Sequence, residues 1–128
     1  MIEKKISTSF FIADFSELQQ DDRNLINKAI KALDSSYSSY SGFSVGASVL
    51  LEDNITVEGS NQENVAYPSG LCAERVALFY AGSKYPKKRI KTIAISAKSD
   101  DFEINDYISP CGASVSYTHL RAHETRPN

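Results

Sequence analysis

Cysteine is scarce in this chain of 128 residues: there are two, Cys72 and Cys111. Two thiols cannot staple a disulfide scaffold, so stability has to come from a hydrophobic core. Long apolar runs are missing as well. None approaches the ~18 residues that a membrane helix needs. The opening Met1-Ile2-Glu3-Lys4-Lys5 carries charge with no apolar stretch behind it, which argues against a secretory signal. Charge of one sign is also lacking. A net charge of −2 gives no reason to expect nucleic acid or an acidic membrane as partner. There is no repeat, no low-complexity tract and no interdomain linker. What remains is the expectation of one soluble, cytoplasmic domain. In a reducing compartment its cysteines are free thiols, ligands or nucleophiles.

What is present is ordinary for a globular protein: 41% hydrophobic and 23% charged residues. A chain of this size buries roughly 65–70% of its unfolded surface. A short strand is expected around Phe10–Ile12. Asp21-Asp22 followed by Leu25, Ile26, Ala29, Ile30, Leu33 and Tyr37 predicts a helix with one apolar stripe and an acidic first turn. The serines between 35 and 41, with Gly42, read as a loop. Phe43 to Leu51 alternates, with Phe43, Val45, Ala47, Val49 and Leu51 on one face. Glu52-Asp53-Asn54 signals a turn, and 55–59 can return as a hairpin partner. Residues 60–71 read as a loop, and about 71–81 as a helix that Gly82 ends. Residues 90–97 read as a strand and 100–108 as a loop. Pro110 then sits where a new helix could begin. This order predicts a sheet with helices packed on it. The helix between two strands favours a parallel crossover.

The informative stretch is Asn61-Gln62-Glu63-Asn64 with Leu71-Cys72-Ala73-Glu74-Arg75, followed after a strand by Ser109-Pro110-Cys111-Gly112-Ala113. Each cysteine lies near a predicted helix start. There, unpaired N–H groups and partial positive charge favour the thiolate that a metal requires. Glu74, two residues past Cys72, can address a group on such a metal without ligating it. Taken singly, these residues have plainer readings: inert core cysteines, a solvated helix face at Glu74 and Arg75, loop caps at Asn61 and Glu63, and core packing at Phe43.

Cys-Ala-Glu-Arg followed by Pro-Cys-Gly-Ala resembles the small cytidine deaminase family. Asn61-x-Glu63-Asn64 and Tyr40-Ser41-Gly42-Phe43-Ser44-Val45-Gly46-Ala47 are similar to further segments of that family, in the same order. The resemblance implies a three-layer α/β/α fold with a mixed sheet. It also implies Zn2+ held by three thiolates, two of them Cys72 and Cys111. Zinc then acidifies a water, and Glu74 moves protons from that water to the pyrimidine ring and to the leaving amine. Asn61 and Glu63 match the ribose-binding pair, Phe43 packs near the base, and Arg75 offsets the surplus charge of the thiolates. The implied activity is deamination of cytidine and deoxycytidine in pyrimidine salvage by a homotetramer. A deaminase of a modified cytosine nucleoside, of blasticidin type, is a close alternative. Deaminases of nucleic acid more often resemble a His-x-Glu version, and this chain has no basic excess.

The pattern breaks after Ala113. The family places its third cysteine ligand where this chain has Ser114, and a hydroxyl is a poor substitute for a soft thiolate. The family's last two strands and terminal helix are then expected to be missing. Residues 116–125 resemble a translated transposase-type sequencing adapter, and Val115 fits one codon upstream. The expected division is a truncated deaminase domain at 1–114 and a non-native tail at 115–128. His119 and His123 have helical metal-ligand spacing, but the adapter resemblance accounts for both. An inactive fragment is therefore the second functional expectation.

Overall fold

The alternation in Phe43–Leu51 produces the central strand, β1, of a computed structural model that describes residues 1–105 and 108–110. Successive side chains of a strand point to opposite faces. Here Ala47, Val49 and Leu51 are buried on one face, while Gly46 and Ser48 are buried on the other. A single-turn 3-10 segment at Glu52–Asn54 reverses the chain. Asp53 and Asn54 adopt positive φ of 63° and 58° there. Asp and Asn tolerate that region better than most residues, which is why this triplet works as a turn. The chain returns as β2, Thr56–Ser60, antiparallel to β1 with Val49 opposite Val57 and Ala47 opposite Gly59. β3, Ile90–Ser99, lies along the other side of β1, with Val49 opposite Ile93 and Ala47 opposite Ile95. The strand order is β2-β1-β3.

One helix covers each face. α1, Gln20–Ala32, packs Leu25 and Ala29 against Ala94 and Leu50. α2, Ala73–Lys84, packs Ala73, Ala77, Leu78 and Ala81 against Ala47, Val49, Leu51 and Val57. The layers are therefore α/β/α, as expected. Two glycines set the spacing between them. A Cβ on Gly46 would lie 2.0 Å from the Ala29 carbonyl oxygen of α1, and one on Gly59 would lie 2.6 Å from the Ala77 nitrogen of α2.

Several expectations are corrected. Every hydrogen-bonded strand pair among the described residues is antiparallel, so this sheet is not mixed. β2 and β3 do run the same way, and α2 crosses over between them, but β1 lies in the middle. No strand forms around Phe10–Ile12; these residues are 80%, 95% and 64% exposed and none joins the core. Ile30 is 47% exposed, because the face of α1 that meets the sheet is only as wide as Leu25, Ile26 and Ala29. Tyr37 lies beyond the helix, which ends in a 3-10 turn at Leu33–Ser35. Gly82 does not stop α2. A helical glycine costs only about 1 kcal/mol, and the helix ends at Tyr85, ahead of Pro86, where the ring disfavours helical backbone. The helix expected after Pro110 lies outside the described residues.

Candidate active site

α2 begins abruptly. Cys72 is its N-cap, with extended backbone (φ −74°, ψ 159°), and its carbonyl accepts the first helical bond from the Val76 N–H at 3.1 Å. The thiol is half-buried at the positive end of the helix. Small side chains at 73, 77 and 81 let this helix sit low on the sheet, and that closeness takes Glu74 inside. Glu74 is 5% exposed, and its Oε2 has no hydrogen-bond partner among the described residues. An orphaned buried polar atom costs about 1–3 kcal/mol, and more when charged. Native structures keep such atoms where a ligand, ion or water meets them. Arg75, on the same first turn, is half-buried.

Backbone bonds join this helix start to the other expected site segment. Gln62 and Leu71 exchange two hydrogen bonds of 2.9 Å, an antiparallel bridge. On its other side, the Tyr37 N–H donates to the Asn61 carbonyl at 3.0 Å, and the Glu63 N–H donates to the Tyr37 carbonyl at 2.9 Å. Asn61-Gln62-Glu63 is thus held between Tyr37 and the residue before Cys72.

The side chains of this segment are also fixed. Asn61 Oδ1 accepts from the Val45 N–H at 2.9 Å and from the Ser36 hydroxyl, and its Nδ2 donates to the Phe43 carbonyl at 2.8 Å. An amide nitrogen has two protons, so one donor remains for a ligand. Glu63 is half-buried, and its Oε1 accepts from the Ser41 hydroxyl at 2.7 Å and from the Ser41 N–H at 3.2 Å. Phe43, half-buried at the start of β1, stacks on Phe102 with ring centres 6.4 Å apart and 26° between planes. The serines that read only as loop turn out to position the site. Ser36 and Ser41 bond Asn61 and Glu63, and Ser38 bonds Ser44 at 2.8 Å. The only sequence signal for them was a dense run of short hydroxyls ahead of an Asn-x-Glu segment, which generic turns share.

Of the expected site residues, the structure places Phe43, Asn61, Glu63, Cys72, Glu74 and Arg75 at the ends of β1 and β2 and the start of α2. Cys111 and Ser114 lie outside the described residues, as does the boundary between 114 and 115. Among the described residues, no group of three or more His, Cys, Asp or Glu side chains is arranged to hold a metal ion. Of the donors expected for zinc, the described residues hold one, the Cys72 thiol, at a helix N-terminus that favours the thiolate a metal requires.

A layered α/β/α unit whose α2 opens on Cys-x-Glu has the frame of the zinc-dependent deaminases. The chain belongs to the family described as the cytidine and deoxycytidylate deaminase zinc-binding region, whose model matches residues 19–118. It is 40% identical over 93 residues to a protein named cytidine deaminase from Halalkalibacterium halodurans, a match covering 73% of this chain and 66% of the relative. It is equally identical, at 40% over 93 residues, to a cytidine deaminase from Sporosarcina psychrophila, covering 73% of this chain and 64% of that one. The chain therefore spans slightly under two thirds of the length of these relatives. Its fold is similar to the crystal structure of cytidine deaminase from Burkholderia pseudomallei, with a TM-score of 0.66, 34% identity, and coverage of 77% of this chain and 75% of that one. No helix among the described residues is long and apolar enough to cross a membrane.

Proposed function

We propose that the protein hydrolytically deaminates cytidine and deoxycytidine to uridine and deoxyuridine, releasing ammonia, with zinc held by Cys72 and Cys111. The observation that carries this reading is Glu74: a buried carboxylate with an oxygen unpartnered among the described residues, two residues past a helix-capping cysteine. Zinc, when bound, supplies the acidity that makes a water nucleophilic near neutral pH. Glu74 takes a proton from that water, passes it to the ring nitrogen, and carries a proton to the departing amine. One carboxylate serves both steps because its protonation state alternates within a turnover. Burial keeps bulk water from competing for its oxygens.

Asn61 and Glu63 bind the sugar hydroxyls. Their anchoring by Val45, Phe43 and Ser41 fixes the remaining Asn61 donor and the Glu63 carboxylate before substrate arrives, which lowers the ordering cost of binding. Phe43 packs beside the base, and Arg75 offsets thiolate charge. Homotetrameric assembly, a cytoplasmic location and a role in pyrimidine salvage belong to the same proposal. So does the division into a domain at 1–114 and a non-native tail at 115–128.

A second reading rests on Ser114. With a hydroxyl at the third ligand position, the chain as it stands binds zinc weakly and turns over little. One experiment addresses both readings. The ultraviolet change from cytidine to uridine is followed for this chain and for a version with Ser114→Cys continued by the C-terminal part of a relative. Turnover is expected from the second only. Failure of the zinc-loaded, folded version to release ammonia from any pyrimidine nucleoside would defeat the first reading. One zinc per chain together with turnover in the unaltered protein would defeat the second. A parallel assay on blasticidin-type substrate separates the modified-nucleoside alternative.

A further inference from the structure

We infer that Gly59 is a positioning residue for the catalytic helix start: its missing side chain sets the height of the first turn of α2, and so of Cys72 and Glu74, above the sheet. The inference rests on the deaminase reading of those two residues. It adds a residue on a different element, outside the Asn-x-Glu and Cys-x-Glu segments.

The first hydrogen bond that α2 forms from within its own range runs from the Ala77 N–H to the Ala73 carbonyl. Gly59 lies directly beneath it. A Cβ there would be 2.6 Å from the Ala77 nitrogen, 2.9 Å from the Ala73 oxygen and 3.0 Å from the Ala77 Cα. All three are backbone atoms, so no side chain can swing aside to make room. Ordinary contact begins near 3.4 Å. Relief therefore requires the turn 73–77 to rise by roughly half an ångström or more, a shift of the size that misaligns catalytic groups. Glu74 lies inside that turn and Cys72 caps it.

The same strand end holds the other half of the site. Two residues past Gly59, the Asn61 N–H donates to the Val45 carbonyl at 3.1 Å, and the Asn61 side chain is tied to β1. Gly59 thus fixes the distance between a helix start that carries the chemistry and a strand end that carries the sugar-binding pair. Gly46 is its counterpart on the opposite face. A Cβ there would meet the Ala29 oxygen of α1 at a still shorter 2.0 Å, and its three nearest atoms all belong to Ala29 and Leu33. That makes Gly46→Ala the natural control for a merely structural effect.

The test uses the full 128-residue chain and measures the alkylation rate of Cys72 by peptide mass spectrometry, which separates it from Cys111. Folding is checked by circular dichroism and urea midpoint. Gly59→Ala is expected to speed Cys72 alkylation at least about threefold at matched folded fraction, as the turn lifts and the half-buried thiol opens. Gly46→Ala is expected to lower stability at least as much while leaving that rate within about 1.5-fold. If Gly59→Ala does not fold, Ala77→Ser takes its place. It adds one atom to the helix side of the same contact and is expected to move the rate in the same direction by less. Equal rate changes in the variants of both faces, or no change in a folded Gly59→Ala or Ala77→Ser protein, would overturn the inference. The alkylation rate does not depend on turnover. The positioning claim can therefore fail while the deaminase reading stands, and a zinc-loaded version that releases no ammonia defeats that reading while the alkylation result still reports whether Gly59 sets the height of α2.

Discussion

The two faces of the sheet are built on different terms. Under α2 the contact is broad and almost wholly apolar, with Leu51, Leu78 and Val49 packed among the fully buried Ala47, Ala73 and Ala77. Under α1 the apolar contact is narrow, and polar groups fill the rest. Ser35 bonds Ser60 at 2.7 Å, Lys28 donates to Thr56 at 2.7 Å, and Ser48 is fully buried in the central strand. Among the described residues, each face also hides one oxygen without a partner: Glu74 Oε2 on α2 and Ser48 Oγ on the β1 side facing α1. Cost alone does not separate a functional orphan from an incidental one. Context does: Glu74 lies in the first turn of α2, two residues past a capping cysteine, whereas Ser48 sits in mid-strand between Glu58 of β2 and Ala94 of β3, on the face away from Cys72.

The sharpest way to break that distinction is Glu74→Gln in the zinc-loaded version that carries Ser114→Cys. Loss of a general acid–base group is expected to cut kcat by roughly 10²–10⁴-fold. The shape of the side chain is kept, so the urea midpoint is expected to hold or rise, as when a strained functional charge is neutralised. A fall in the midpoint with turnover retained would make Glu74 a structural residue. The two orphans would then be alike.

Ser48→Ala tests the other side, with a smaller effect. The hydroxyl finds no partner among the described residues, so removing it gives up no bond and relieves a desolvation cost. The expected gain in stability is up to about 1 kcal/mol, read from urea unfolding, with kcat unchanged. A loss of stability instead would mean that the hydroxyl has a partner, and a loss of kcat would give the α1 face a share in the chemistry.

Much of this contrast was legible beforehand, and the parts that were not have physical causes. The alternation at 43–51 specifies β1 because it sets Ala47, Val49 and Leu51 under α2 and Gly46 and Ser48 under α1, so a one-residue slip would exchange the two sets between faces that each fit only one of them. The triplet Glu52-Asp53-Asn54 specifies the hairpin because it supplies residues that tolerate positive φ. Cys72 and Glu74 were singled out by resemblance, and the capping role of the one and the burial of the other are consistent with it. Periodicity misjudged Ile30 and Tyr37, because a stripe of apolar residues does not say how wide the partner surface is. Composition misjudged Phe10–Ile12, because β propensity forms no strand without an edge to pair with. The serine ties to Asn61 and Glu63 could not be read at all, since they join residues more than twenty positions apart. Likewise the pairing of β3 with β1 rather than β2 is decided by packing and not by local pattern.

The smallest expected effect lies at the opposite end of the sheet from the candidate site. There Lys88 is bonded to Asp53 of the hairpin turn, and Arg89 approaches Glu52 at 3.9 Å. The Lys88 hydrogen bond and charge hold the Asp53 carboxyl below the usual carboxylate range. The same bond and charge from Asp53 hold the Lys88 amine above the usual lysine range. A lowered carboxyl contributes stability at neutral pH that disappears as pH falls through its folded value. A raised amine contributes stability that disappears as pH rises through its own folded value. The contribution of the pair should therefore be present across the middle of the pH scale and fade towards both ends. Both groups are solvated, so screening keeps the contribution small. Lys88→Ala is expected to lower the urea midpoint only slightly at low salt and neutral pH. The difference from the parent should vanish in acid, once Asp53 is protonated, and in about 1 M salt, where charges are screened within roughly 3 Å, while Cys72 alkylation stays at the parent rate. A difference that survives high salt would show that Lys88 acts through packing and not through charge. A change in Cys72 reactivity would show that the far turn and the start of α2 are mechanically joined, so that the two ends of the sheet are not independent.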